Sequence, residues 1–88
     1  MKIKSGFILR QIADSWVAVP IGSMAGKVQG LISLNDTAAE IWKILEEDHT
    51  EEEVVELLAR SYDEKPETLV RSVREFTEEL ARQDILEK

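Results

Sequence analysis

The chain has 88 residues, 11 Lys and Arg against 18 Asp and Glu, one histidine and no cysteine, for a formal net charge of −7. A chain of this length buries only about 60% of its unfolded surface, which allows one modest core and no deep cavity for a large cofactor. Without cysteine there is no disulfide, Cys-ligated zinc, iron–sulfur cluster or thiol nucleophile, and a single imidazole, His49, excludes a multi-histidine metal site.

Taken from the N-terminus, Met1 to Gly6 does not continue into the apolar stretch of a signal peptide. No run approaches the ~20 apolar residues that cross a bilayer. A cytoplasmic domain spanning residues 1–88, with no membrane partner, is the expectation. The first half then shows short runs of apolar, largely β-branched or aromatic residues: Phe7-Ile8-Leu9, Trp16-Val17-Ala18-Val19 and Leu31-Ile32-Ser33-Leu34. Bounded by Gly, Pro, Asp and Ser, these read as three strands. Asp14-Ser15 suits a tight hairpin connection, because an aspartate can bond its own backbone in a turn. Pro20 has no ladder donor and ends the second strand. Ile21 to Gly30, with Gly22, Gly26 and Gly30, reads as a loop holding one helical turn.

At Asn35 the apolar period changes from 2 to about 3.6. Asn35 or Asp36 is a suitable N-cap, and Ala38, Ile41, Trp42 and Leu45 follow on one face. Thr50-Glu51-Glu52-Glu53 has the spacing of a capping box, opening a second helix that buries Val54, Leu57, Leu58 and Tyr62. Pro66 fits the first position of a third helix, running to about Gln83 with Leu69, Val73, Phe76 and Leu80 inward and Val70, Thr77 and Ala81 along a flank. Ile85-Leu86 is an apolar tail that closes the core. The predicted class is α+β: a three-stranded antiparallel sheet followed by three helices (βββααα), similar in shape to a winged helix-turn-helix.

Charge divides at the same point. Residues 1–34 carry four basic side chains against one acidic, a net of +3; the remainder carries seven against seventeen, a net of −10. His49, beside Asp48 and Thr50, reads as an exposed connector. Glu51-Glu52-Glu53 reads as acidic residues favoured by a helix N-terminus rather than as a metal patch. No serine has a histidine partner in a recognisable motif, so an enzyme is not expected and no cofactor is called for. The helical spacings Arg71/Glu75, Arg74/Glu78 and Glu78/Arg82 predict self-paired charges on the third helix. With the net charge, they argue against nucleic acid as a partner and against a winged-helix transcriptional regulator. A structural subunit of a larger complex is the other alternative. The third strand has neither Pro nor Lys within Gly30 to Leu34, so its edge is open to strand addition by a peptide.

The segment Gly30 to Leu45, GLISLNDTAAEIWKIL, resembles the hallmark of the PqqD-like family: a strand, Leu-Asn, a polar pair, small residues, then Ile-Trp and Leu on the first helix. Phe7 to Arg10, Val19-Pro20-Ile21-Gly22, Thr50 to Val55, and Phe76, Leu80 and Ile85-Leu86 are similar to its flanking segments, so the likeness spans the chain. Ala38 or Ala39, and Asp84, stand where members often carry Gly. The resemblance implies a peptide-recognition element that binds the leader of a ribosomally made precursor peptide. It also implies delivery of that precursor to a modifying enzyme, commonly a radical S-adenosylmethionine maturase. In the family the leader adds as a strand to the third strand, in a groove walled by the third helix. Carried over, the strand positions are Gln29, Gly30, Leu31, Ile32 and Ser33. The wall positions expected from one flank of the helix are Val70, Val73, Arg74, Thr77 and Ala81, with Arg74 facing a leader carboxylate; Leu69, Phe76 and Trp42 are assigned mainly to core. A monomer or weak homodimer is expected.

Overall fold

Short runs of β-branched and aromatic residues build a sheet in the first half, and three amphipathic segments, the first two capped by side chains, cover one face of it. The computed structural model describes residues 1–87, in the order β1 (Lys2–Ile3), β2 (Phe7–Ile12), β3 (Ser15–Pro20), a 3-10 helix (Gly22–Gly26), β4 (Ile32–Leu34), α1 (Asp36–Leu45), α2 (Glu51–Ala59), α3 (Pro66–Arg82) and β5 (Leu86–Glu87). The main sheet is antiparallel with strand order β2-β3-β4, so β4 is an edge. Strand alternation sends Ala18, Ile32 and Leu34 toward the helices, where Ala18 and Leu34 join the core with Ile41, Trp42, Leu45, Val54, Leu58, Leu69, Val73, Leu80 and Ile85. Trp42 is the largest fully buried side chain, and Phe7 meets it edge-on at 5.3 Å between ring centroids. Such edge-to-face pairs add about 0.5–1.5 kcal/mol beyond the area they bury.

The caps form where the sequence places them. Asn35 Oδ1 accepts the Ala38 N–H at 2.8 Å. Thr50 Oγ1 accepts the Glu53 N–H at 3.2 Å while the Thr50 N–H donates to Glu53 Oε1 at 2.8 Å, a reciprocal capping box. Pro66 occupies the start of α3. The predicted loop after β3 does hold a helical turn, the 3-10 helix, whose Met24 packs over Gly6. A Cβ at Gly6 would stand 2.5 Å from Met24 Cγ, and the φ of +110° there also favours glycine.

Several expectations are corrected. A fourth and a fifth strand exist: β1 pairs antiparallel with β5, in a second, two-stranded sheet that ties the two ends of the chain together. Two-residue strands carry too little periodicity to be seen in a sequence. The first hairpin loop is Ala13-Asp14, with Ser15 already paired to Ile12. Ala13 sits at φ 55°, the first position of a two-residue turn that normally takes glycine. Asp84 adopts φ 59° and ends α3 in a Schellman motif. The Asp84 N–H donates to the Ala81 carbonyl (3.1 Å), the Ile85 N–H to that of Leu80 (2.9 Å), and the apolar pair Leu80 and Ile85 is buried. His49 is half-buried rather than exposed, because its backbone exchanges bonds with Met1: the His49 N–H to the Met1 carbonyl (2.9 Å) and the Met1 amine to the His49 carbonyl (2.7 Å). Among the described residues, no helix is long and apolar enough to cross a membrane.

Candidate functional site: an open strand edge beside a helical groove

The register of the sheet fixes which backbone groups of β4 are free. Ile12 pairs with Ser15 across a two-residue loop, so these two exchange hydrogen bonds, and alternation makes Arg10/Val17 and Ile8/Val19 bonded pairs as well. Trp16 and Ala18 therefore direct their N–H and C=O groups the other way, toward β4, where they face Leu34 and Ile32. Ser33, opposite Val17, is left with its N–H and C=O pointing away from the sheet. The side chain of Ser33 is exposed, Ile32 is half-buried toward the helices, and Leu31, just before the strand, is 57% exposed. Gln29 and Gly30 precede the strand and are exposed; Gly30 turns the chain into it at φ 75°.

The end of β4 runs directly into a groove of about 370 Å³ between the start of α1 and the middle of α3. Asn35, Thr37, Ala38 and Ile41 line one side, and Ser72, Glu75, Phe76 and Glu79 line the other. Beside the small Ala38 the half-buried Phe76 gives the groove an apolar spot over the buried Ile41, while the rest of its lining is polar. Its α3 rim is acidic. Glu79 is held by Arg82 at 2.8 Å and accepts from Gln83 Nε2 at 2.9 Å, whereas Glu75 has no ion pair among the described residues.

The predicted wall residues lie elsewhere. Val73 is fully buried in the core, and Thr77 is buried with its hydroxyl donating to the Arg74 carbonyl at 3.1 Å. Val70 and Arg74 line a cleft between α2 and α3, with Glu51, Glu52, Val55 and Glu56. Arg74 is committed there: Nε and Nη2 donate to the two carboxylate oxygens of Glu51 at 3.2 and 3.4 Å, and this hydrogen-bonded pairing raises the arginine's pKa. Ala81 is exposed on the last turn of α3. The expected i,i+4 pairs of α3 are replaced by this contact and by the Arg82–Glu79 bridge; Arg71 has no ion pair among the described residues. A hollow of about 590 Å³ runs along α3 past Glu67, Val70, Arg71, Glu75 and Glu78, but all its lining residues belong to that one helix.

Ser72, Phe76 and Glu79 each lie one residue before a buried position of α3, Val73, Thr77 and Leu80, whereas Val70, Arg74 and Ala81 each lie one residue after one. Helical periodicity defines both flanks equally. What selects between them is the side on which α1 lies, which is tertiary information.

A family model for coenzyme PQQ synthesis protein D (PqqD) matches residues 15–86. The chain belongs to the PqqD family. The PqqD match begins at β3 and ends in β5. The solved structure of TbiB1 in complex with the TbiA(beta) leader peptide is similar at 28% sequence identity with a TM-score of 0.74, covering 99% of this chain and 95% of that one. No curated protein sequence matches. The α+β fold of this PqqD-family chain, a three-stranded antiparallel sheet followed by three helices, is thus shared with a leader-peptide complex.

Proposed function

We propose that this protein is a non-catalytic module that binds the leader of a ribosomally made precursor peptide and delivers it to a modifying enzyme. The leader adds antiparallel to β4, exchanging main-chain hydrogen bonds with Ser33, and sets alternate side chains into the groove between α1 and α3. The observation that carries this reading is the free, outward-facing backbone of β4 beside the groove between α1 and α3, in a chain similar along its length to a protein solved with a leader peptide. Strand addition supplies affinity without demanding much of the leader sequence, and the groove supplies selectivity. Holding the leader raises the effective concentration of the attached core peptide at the enzyme, so bond-making resides in the partner.

The family resemblance makes a radical S-adenosylmethionine maturase the first partner to test, and the cytoplasm, where the precursor is made, the place of binding. The module acts as one domain over residues 1–88, as a monomer. Within the groove we assign the α3 wall to Ser72, Glu75, Phe76 and Glu79; Gln29 to Ser33 remain the strand-side positions. The test is an amide-resonance titration with the leader of a precursor encoded beside this gene. Shifts concentrated on Leu31 to Leu34 and Ser72 to Glu79 are expected. Saturating peptide that leaves those amides unmoved would overturn the reading.

A further inference from the structure

Resting on that reading, we propose that the groove selects a leader carrying a lysine or arginine opposite Glu75, two residues from an apolar side chain seated on Phe76. Two groups of observations support it. The first is electrostatic. Of the two carboxylates on the α3 rim, Glu79 is neutralised by Arg82 at 2.8 Å, while Glu75 has no ion pair among the described residues. Arg71, one turn earlier, makes none with it. Free in solution Glu75 is hydrated at little cost. A leader strand laid over the groove strips that water, and a carboxylate covered without a cation is penalised far more than a pair that is merely not formed. The cost falls on leaders with an apolar or acidic residue at that position, which makes Glu75 a discriminator by exclusion as well as by attraction.

Two of the four basic side chains of the first half are placed elsewhere. Lys4 pairs with Asp84 at 3.0 Å, beside the β1–β5 ladder, and Arg10 lies on β2, the opposite edge of the sheet. An acidic leader would approach β4 against the net −10 of residues 35–88.

The second group is geometric. Ser33 is the β4 residue whose backbone faces outward, so the leader residue paired with it points its side chain as Ser33 does, away from the helices. The leader residues on either side of it point into the groove. They are two apart, a separation of about 6.8 Å along a strand, while the exposed Glu75 and the half-buried Phe76, consecutive on α3, diverge by roughly 100° round the helix, so that both line the groove at different places. One such residue seats on the apolar spot at Phe76 while the other meets the carboxylate at the rim.

The experiment pans a display library of random 12-residue peptides on the intact protein and on Glu75→Gln, Glu75→Arg and Glu78→Gln. The last removes the same charge one turn further on, at a residue that does not line the groove. Wild type should enrich Lys or Arg at one position two residues from an apolar residue, and Glu75→Gln should bind those peptides about two- to five-fold more weakly. Glu75→Arg should move the preference to Asp or Glu at the same position, and Glu78→Gln should select as wild type does. Peptides that shift the Ile32 to Leu34 amides but show no charge preference, or the same one on Glu75→Arg, would overturn this inference and leave strand addition standing. Failure of every selected peptide to shift those amides would overturn both.

Discussion

Proline at position 33 separates the stability of the sheet from its capacity to take another strand. The Ser33 N–H faces the open edge, so Ser33→Pro removes a donor that the β3–β4 ladder does not use. Edge strands accommodate proline on that side. Ile32→Pro, one residue earlier, removes a donor directed at Ala18 and breaks the ladder itself. The two variants should therefore fail differently. In Ser33→Pro the leader carbonyl opposite loses its partner. One missing main-chain bond is worth about 0.5–1.5 kcal/mol net, more where the orphaned carbonyl is cut off from water. A loss of about 1–2 kcal/mol corresponds to roughly 5- to 30-fold weaker binding at 1.4 kcal/mol per tenfold. Fluorescence anisotropy of a labelled leader measures it, and a thermal melt followed by circular dichroism checks the fold. Ile32→Pro should lower the melting temperature in the absence of any peptide. A folded Ser33→Pro that binds the leader with unchanged affinity would refute strand addition at β4.

The remaining predictions concern the groove and the local chemistry of the fold. Phe76→Ala should weaken leader binding tenfold or more, because a buried aromatic anchor removed from an interface typically costs at least ~2 kcal/mol, while Val70→Ala, on the other flank of α3, should stay within about two-fold; isothermal titration distinguishes the flanks. Ala13→Gly should stabilise the protein by about 1 kcal/mol by relieving the positive φ in the first hairpin, seen as a higher urea midpoint at unchanged slope. The Thr50 N–H holds the Glu53 carboxyl below its ordinary pKa, with a smaller contribution from His49. Its stabilising contribution is therefore complete above the unfolded value of about 4.3 and is lost as pH falls through the lower folded value. Glu53→Gln should accordingly flatten the acid limb of a stability–pH profile below about pH 5, measured by urea midpoints.

Elements whose signal is local were legible in the sequence. The period change at Asn35, the Thr50–Glu53 box and Pro66 each act within one helical turn, and the structure forms all three where they were expected. The β1–β5 ladder was not legible, because its two strands are two residues each and meet only after the rest of the chain has folded. The exposed edge at Gly30 to Leu34 was readable from its lack of Pro and Lys. That Ser33 in particular carries the free groups depends on the register of two other strands. Phe76 illustrates the hardest case. Its helical spacing with Leu69, Val73 and Leu80 marks it as core, and it does pack there, but its half-burial also gives it a face in the groove. Periodicity assigns a residue to a face, and it cannot say where a neighbouring helix stops covering that face.

An open edge is ordinarily a hazard, and the dimensions of β4 explain how this one remains selective. The strand has three residues, and Ser33 is the only residue within it whose backbone faces outward. A partner that offers only main-chain groups therefore gains very few hydrogen bonds, each worth about 1 kcal/mol, against the entropy of ordering an extended segment at roughly 1–2 kcal/mol per residue. Backbone pairing alone does not cover that cost. The balance becomes favourable only when alternate side chains also reach the apolar spot at Ala38 and Phe76. A second copy of this chain adding through its own β4 would bring Ile32 and Leu34, side chains already turned into its own interior. Short length thus disfavours self-pairing while leaving room for a flexible peptide with free apolar side chains, and recognition is transferred from the strand to the groove beside it.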